Sequence, residues 1–178
     1  MIDETASAPN FVLLLFRLVL ALVFVAHGWN HIFGGGKIEG TGRWFDSLGM
    51  RPGMMHAWFA SLTEIGCGVL VGLGLLTPLG AAAMLGVMVV AFITNHMRNG
   101  FFIFRPGEGY EYVLVLAVCA VVIGGLGGGG WSVDSGLGIF GGGWGQLILT
   151  TAAGIGGAAV QLIVFWRPSK PQNAESKA

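Results

Sequence analysis

Charged and titratable side chains interrupt segments of this chain that are otherwise apolar enough to lie in a bilayer. They are one arginine, two glutamates and the four histidines: Arg17, Glu64, Glu111, His27, His31, His56 and His96. A charge inside a bilayer is costly unless it is paired or hydrated, so such residues usually mark a polar network with a function. The sequence therefore directs the search for function to the interior of the membrane.

Arg17 and Glu64 carry opposite charges near the middle of two apolar segments. Arg17 lies roughly 5 Å to one side of the middle of its segment and Glu64 roughly 4 Å to the other side, counted at about 1.5 Å per residue. We predict a buried ion pair between them that further hydrogen bonds compensate. If the two touch, they either hold two antiparallel helices together or form a pocket that moves a proton or holds an anionic or quinone-like head group.

The histidines cluster at one membrane boundary. His27 and His31 are four residues apart and share one helix face with Arg17. The same boundary receives His56, His96, Glu111 and Tyr112. This set suits a proton relay or a quinone site, is compatible with metal or haem ligation, or forms a polar collar solvated by water and head groups. Because no cysteine or further aspartate completes a ligand set, we predict no metal.

The composition requires an integral membrane protein. Hydrophobic residues make up 54% of the 178 residues and charged residues 10%, against about 25% charged in soluble domains. Five segments approach the roughly 20 residues that span a bilayer: 11–31, 57–76, 79–97, 110–127 and 146–166. The net charge is zero and no basic block is present, which argues against nucleic acid as a partner.

The basic residues predict the orientation. Eight of the nine Lys and Arg residues, all but Arg17, fall in the first and third connections and in the tail. The positive-inside rule places these regions in the cytoplasm, with the N-terminus outside and the C-terminus inside. The segment 128–145 then becomes a glycine-rich outer loop and 167–178 a cytoplasmic tail. The start of the chain lacks the basic region of a signal peptide, so the first segment is predicted to be retained.

Three other stretches carry structural predictions. The connection 33–56 is either a short amphipathic helix in the interface or a loop anchored by aromatic residues. Gly68 and Gly72, and the small residues between Ala153 and Ala158, have the spacing that lets helices approach closely. Such a face could also form a homo-oligomer.

An ordered set of residues resembles the DoxX family over residues 11–134. It consists of Arg17, His27-Gly28, Thr63-Glu64, Gly68, Gly74-Leu75-Leu76-Thr77, Gly109-Tyr110-Glu111 and Ser132-Val133-Asp134. The resemblance implies a four-helix integral membrane protein. In some relatives this protein is the small membrane subunit of a thiosulfate:quinone oxidoreductase, and in others a partner in sulfur and oxidative-stress metabolism.

We therefore predict an all-α integral membrane protein of a bacterial plasma membrane, with a DoxX-like four-helix bundle (11–135) and a fifth C-terminal span. It would be the membrane subunit or anchor of a quinone-linked oxidoreductase, in contact with lipids and a soluble redox enzyme on the cytoplasmic side, with quinone as a non-covalent cofactor. The proposed catalytic residues are Arg17, Glu64, His27 and Glu111, and the proposed quinone-binding residues are His31, His96 and Tyr112. The alternatives are a small-solute or lipid transporter and a non-catalytic scaffold for a soluble redox enzyme.

Overall fold

The protein is all-helical in the computed structural model, which describes residues 7–168. The helices are α1 (Ser7–Phe33), α2 (Lys37–Ser47), α3 (Gly53–Leu73), α4 (Thr77–Ala91), α5 (Glu111–Leu126), α6 (Val133–Leu137) and α7 (Trp144–Phe165). Within the described residues no β-strand forms, apart from one isolated bridge between Met50 and Trp166. The predicted all-α class is confirmed.

Within residues 7–168, four helices are long and apolar enough to cross a membrane. They are α1, α3, α7, and α4 together with its continuation to Asn99. α5 is equally apolar but has 16 residues, fewer than the roughly 20 that cross a bilayer upright. It nevertheless lies in the bundle, packed along α4 and α7. Four of the five predicted segments thus reach spanning length, the third of them only with the turns that continue α4 to Asn99.

Local capping determines where α3 and α4 begin. α3 begins at Gly53, before the predicted 57, because the Asp46 carboxylate accepts a hydrogen bond from the Gly53 N–H at 2.8 Å. α4 begins at Thr77, and Pro78 lies in its first turn, where its missing N–H has no helical partner to lose. Of the predicted tail, 169–178 lies outside the described residues, as does 1–6 of the predicted outer N-terminus.

Helix packing defines a bundle with two different ends. α1 packs on α3, α3 on α4 and α4 on α5, while α7 lies against α4 and α5, and α2 covers the ends of α1 and α3. We call the end with the basic connections the basic end; it holds Lys37, Arg43, Arg51, Arg98 and Arg105. The opposite end, with the 74–76 turn and the segment 127–143, is the glycine-rich end.

The first connection contains an amphipathic helix, α2, which is one of the two predicted alternatives. Ile38, Gly42 and Phe45 are buried, whereas Trp44 on the neighbouring face is 42% exposed. An amphipathic helix of this kind lies in the interface with its apolar face down. It brings two aromatic side chains over the basic end of the bundle.

Glycines set the distance between α1 and α3. A Cβ atom on Gly28 would lie 2.6 Å from Ser61 O, and one on Gly68 would lie 2.8 Å from Val25 Cγ2. Lipid gives helices no hydrophobic reason to associate, so close backbone approach is a main source of their affinity. The predicted small-residue spacing in α3 therefore serves packing within the chain.

Gly28→Ala tests this close-packed seam between α1 and α3. We expect it to destabilise the protein by about 1–3 kcal/mol, because α1 must move away from α3 to accommodate the methyl group. Gly66→Ala is the matched control, since a Cβ atom there meets nothing within 4 Å, and alanine is the better helix former by about 1 kcal/mol. Unfolding in detergent measures both variants. Equal stability of the two would contradict the close-packed seam.

Candidate functional site

A cavity of about 140 Å³ opens into the basic end of the bundle. Every helix except α6 contributes to its wall, as does the loop 100–110. The polar side chains that line it are His27, His31, Glu64, Thr94, Asn95, His96, Glu108, Tyr112 and Gln161. The structure thus brings five of the predicted site residues together: His27, His31, Glu64, His96 and Tyr112.

The inner wall of the cavity holds a buried pair of titratable side chains. His31 Nδ1 lies 3.2 Å from Glu64 Oε2, and the two side chains are 19% and 6% exposed. Although the distance suits an ion pair, the two atoms are not aligned for a hydrogen bond, and neither has another partner among residues 7–168. Buried polar atoms in this condition are costly. Because both residues line the cavity, the pair is the candidate contact for a polar group of a ligand.

Apolar and aromatic side chains form the rest of the inner cavity. Phe24, Trp44, Phe45 and Phe59 line it, and the Trp44 and Phe45 rings meet edge to face at 5.2 Å. An apolar cavity of roughly 150 Å³ is known to admit a benzene-sized ring. The chamber is therefore the size of a single ring, with aromatic walls that favour a flat ligand.

A π-helical turn shapes the rim. α4 continues from Ala91 into the π turn Phe92–His96, a form that often occurs at functional sites because it redirects side chains out of the 3.6-residue period. It places Thr94, Asn95 and His96 in the cavity wall.

The loop 100–110 fixes the imidazole of His96. His96 Nδ1 lies 2.9 Å from Glu108 O. A carbonyl only accepts, so Nδ1 is the donor in this contact, and Nε2 can accept from the Asn95 amide at 3.3 Å. Glu108, rather than the predicted Glu111, lines the rim; Glu111 is the first residue of α5 and is not among the lining residues.

The last helix completes the wall. Gln161 of α7 lines the cavity and approaches His56 Nδ1 with its amide Nε2 at 3.2 Å. His56 is 2% exposed and packs edge to face on Phe165, with ring centroids 4.9 Å apart. α7 lies outside the predicted four-helix core, yet the cavity depends on it.

Arg17 does not pair with Glu64, so that prediction is wrong. The guanidinium is fully buried and turned toward the glycine-rich end, where Nη1 donates to Gly72 O at 3.2 Å and Nη2 to Trp131 O at 2.5 Å. Val71 O is a further acceptor at 3.5 Å. Arg17 therefore caps the C-terminal carbonyls of α3 and is absent from the cavity wall.

Asp134 is the acidic counterpart of Arg17 at the glycine-rich end. It is 1% exposed and interacts electrostatically with Arg17. Its carboxylate accepts from Leu76 N, Thr77 N and Thr77 Oγ1 at 2.6–2.8 Å, which caps the N-terminus of α4. A cation at the end of α3 and an anion at the start of α4 both suit the helix dipoles. Together the two residues clamp the α3–α4 turn to the segment 127–143.

Several residues of the cavity were not predicted from the sequence. Thr94 and Asn95 enter only through the π turn, and Gln161 only through the packing of α7. Gln161 did leave a signal, since it is a lone amide in the apolar second half of α7. Within residues 7–168, no group of three His, Cys, Asp or Glu side chains is arranged to hold a metal ion.

The DoxX family model matches residues 12–97, which run from α1 to the end of the π turn. The resemblance seen in the sequence is confirmed for this part of the chain. It contains His27, His31, Glu64 and His96, four of the five predicted residues that meet in the cavity. A comparison with curated proteins found no match, and neither did one with solved structures.

Proposed function

Since the chain is a multi-pass helical membrane protein that carries a DoxX domain at residues 12–97, we propose that it binds the head group of a quinone as the membrane subunit of a quinone-linked oxidoreductase. The observation that carries this proposal is the buried His31–Glu64 pair in the wall of a ring-sized cavity. Apolar pockets with a few converging polar groups are typical small-molecule sites.

The residues of the cavity fit a quinone head. Such a head is a flat ring with carbonyl oxygens at opposite edges, so it needs apolar faces and hydrogen-bond donors. Phe24, Phe45 and Phe59 supply the faces. His31 at the inner wall and Asn95 at the rim carry the donors, at two different parts of the lining.

The chemistry divides between the chain and its partner. A quinone held here would supply the two-electron, two-proton acceptor, and a soluble redox enzyme at the basic end, the side that the basic residues predict to be cytoplasmic, would supply the electrons. The role of this chain would be to bind the ring and to move protons. The His31–Glu64 pair can hold one proton at the inner wall, and His96 and Glu108 line the rim, past which a second proton could enter from water.

The interior of the bundle favours binding over transport. Beyond the cavity, Leu13, Leu20, Met84 and Ile123 belong to a closely packed core, each at most 4% exposed. The Arg17 clamp closes the glycine-rich end. A pocket that opens at one end and is sealed at the other supports a binding site, whereas flux of a solute through protein in vesicles would favour the transporter.

Ala60→Leu tests the proposal. Ala60 lies one turn before Glu64 on α3 and lines the cavity, so leucine there occupies space that the ring needs. We expect the affinity for a short-chain quinone in nanodiscs to fall about tenfold or more, equivalent to about 1.4 kcal/mol. Equilibrium binding of the quinone measures the effect.

Ala152→Leu is the control for this substitution. Ala152 is an exposed residue of α7 outside the cavity wall, so the same change in side-chain size should leave quinone affinity unaltered. If wild type and Ala60→Leu bind the quinone equally well, the cavity is not the quinone site.

A further inference from the structure

Two walls of the cavity face different surroundings. The rim with His96 and Glu108 is polar and lies at the loop 100–110. On another side the cavity extends to the seam between α1 and α5. Val23 and His27 of α1 and Tyr112 and Leu116 of α5 all line it there.

The α1–α5 seam is the loosest in the four-helix bundle. α1 packs along α3, α3 along α4 and α4 along α5, but the backbones of α1 and α5 are not closely packed against each other. Side chains fill the space between them instead. We call the gap framed by Val23, His27, Tyr112 and Leu116 the α1–α5 slit.

Two aromatic rings close the slit near the basic end. The His27 and Tyr112 rings are inclined to each other by 30°, with centroids 6.4 Å apart. Both residues are exposed, Tyr112 by 39%. One turn deeper, Val23 and Leu116 make the frame apolar. Leu22 and Val115, the chain neighbours of Val23 and Leu116, are exposed, which suits a surface in contact with lipid.

The size of the cavity decides what kind of ligand needs such a slit. At about 140 Å³ the cavity is close to the volume known to admit a single ring, and a long hydrocarbon chain exceeds it. A tail attached to that ring must therefore leave the protein. The polar rim would put it in water, where apolar surface is disfavoured, whereas the slit leads into the bilayer.

We propose that the α1–α5 slit is a lateral entrance, through which a quinone places its ring in the cavity while its hydrocarbon tail stays in the lipid. This inference rests on the proposed function and names its substrate class: quinones with a membrane-embedded chain. Rotation of the His27 and Tyr112 side chains opens the entrance, and their rings lie at the depth where aromatic side chains prefer the head-group region.

A cross-link across the slit tests the entrance. Cysteines replace His27 and Tyr112 in a protein whose Cys67 and Cys119 have been changed to alanine, and a short thiol-specific reagent joins them in nanodiscs. The same double variant without cross-link is the reference. Two probes are compared: a quinone with a ten-carbon chain, and the same quinone ring without a chain.

We expect the cross-link to slow association of the tailed quinone about tenfold or more, since its route requires the slit to open. The tailless quinone, which can use the polar rim, should associate at the reference rate. If the cross-link slows the association of both quinones, or of neither, the lateral entrance is ruled out. If wild type binds neither probe, the proposed function itself fails, which separates the two claims.

A second measurement uses the wild-type protein and does not depend on the folding of a variant. A quinone carrying a photoreactive group on the first carbons of its tail is bound and irradiated, and the labelled residues are identified. We expect label on the lipid-facing residues beside the slit, such as Leu22 and Val115. Label confined to the loop 100–110 overturns the proposal.

Discussion

Replacing Glu64 with glutamine is expected to slow the reduction of a bound quinone by about 100-fold, the lower range of what a positioned proton donor contributes. Glutamine has nearly the shape of glutamate, so the bundle should fold normally and bind quinone within a few-fold of wild type. The loss should therefore appear in the rate. The measurement is quinol formation by protein in nanodiscs with a short-chain quinone and the co-purified redox enzyme, supplied with its reductant, as the electron donor, followed by absorbance.

Glu111→Gln is the matched control for this experiment. Glu111 lies at the same end of the bundle but outside the cavity wall, so its neutralisation should change the rate little. Equal rates for wild type and Glu64→Gln would show that the carboxylate takes no part in proton transfer. Equal losses in the two glutamine variants would point to a general electrostatic effect of the basic end.

Replacing Arg17 with leucine is expected to damage the fold. Arg17 is fully buried and donates to the carbonyls of Gly72 and Trp131, and its removal leaves these acceptors unpaired and takes away the positive charge that interacts with Asp134. Loss of one partner from a buried charged network costs about 3–5 kcal/mol. We expect a low yield of monodisperse protein and a lower free energy of unfolding in detergent.

Asp134→Asn tests whether the Arg17 effect arises from the clamp at the glycine-rich end. Asparagine removes the charge but keeps an oxygen that can accept from Leu76 N or Thr77 N. The double variant should recover part of the stability that Arg17→Leu loses, which a double-mutant cycle measures as a coupling energy. Strictly additive effects would contradict the clamp. If Arg17→Leu folds normally and loses only quinone binding, Arg17 belongs to the functional site rather than to the clamp.

The failed Arg17–Glu64 pairing has a geometric cause that a depth count does not capture. In a helix every Cα–Cβ bond tilts toward the N-terminus. The N-terminus of α1 is at the glycine-rich end and that of α3 at the basic end, so the two side chains lean away from each other. The distance between the two charged groups is therefore larger than the offset of several ångströms between their backbones. Arg17 instead contacts the end of α3, and Glu64 contacts His31.

The helices and the histidine cluster were predictable for simple reasons. Hydropathy and length identify apolar helices, and alternating passes bring the four histidines to the same end of the bundle. The contact between His31 and Glu64 was not predicted. His27 and His31 were placed on one face by their spacing alone, and both line the cavity.

The remaining parts of the site depend on packing and local deformation. The π turn at Phe92–His96 breaks the helical period and brings in Asn95, and no pattern in the sequence fixes such a turn. Glu108 replaces Glu111 at the rim because the loop 100–110 folds back until Glu108 O meets His96. Gln161 depends on how α7 lies against α4, a relation between distant segments.

The two ends of the bundle thus have different tasks. At the glycine-rich end, Arg17 Nη1 and Nη2 and the Asp134 carboxylate are hydrogen-bonded to backbone groups and to Thr77 and hold helices in place, and only Arg17 Nε lacks a partner among these groups within residues 7–168. At the basic end, His31 and Glu64 face each other in a cavity with their closest atoms unsatisfied. Substitutions at one end should change stability, and substitutions at the other should change binding and rate.

The central claim is that the cavity at the basic end holds a quinone. Its most direct test is to purify the tagged protein from its own membranes in mild detergent and to measure extracted quinone per chain, for wild type and Ala60→Leu side by side. We expect a stoichiometric amount with wild type, together with a co-purifying redox enzyme, and a strongly reduced amount of quinone with Ala60→Leu. Wild-type protein that is recovered alone and without quinone would contradict the claim and favour transport.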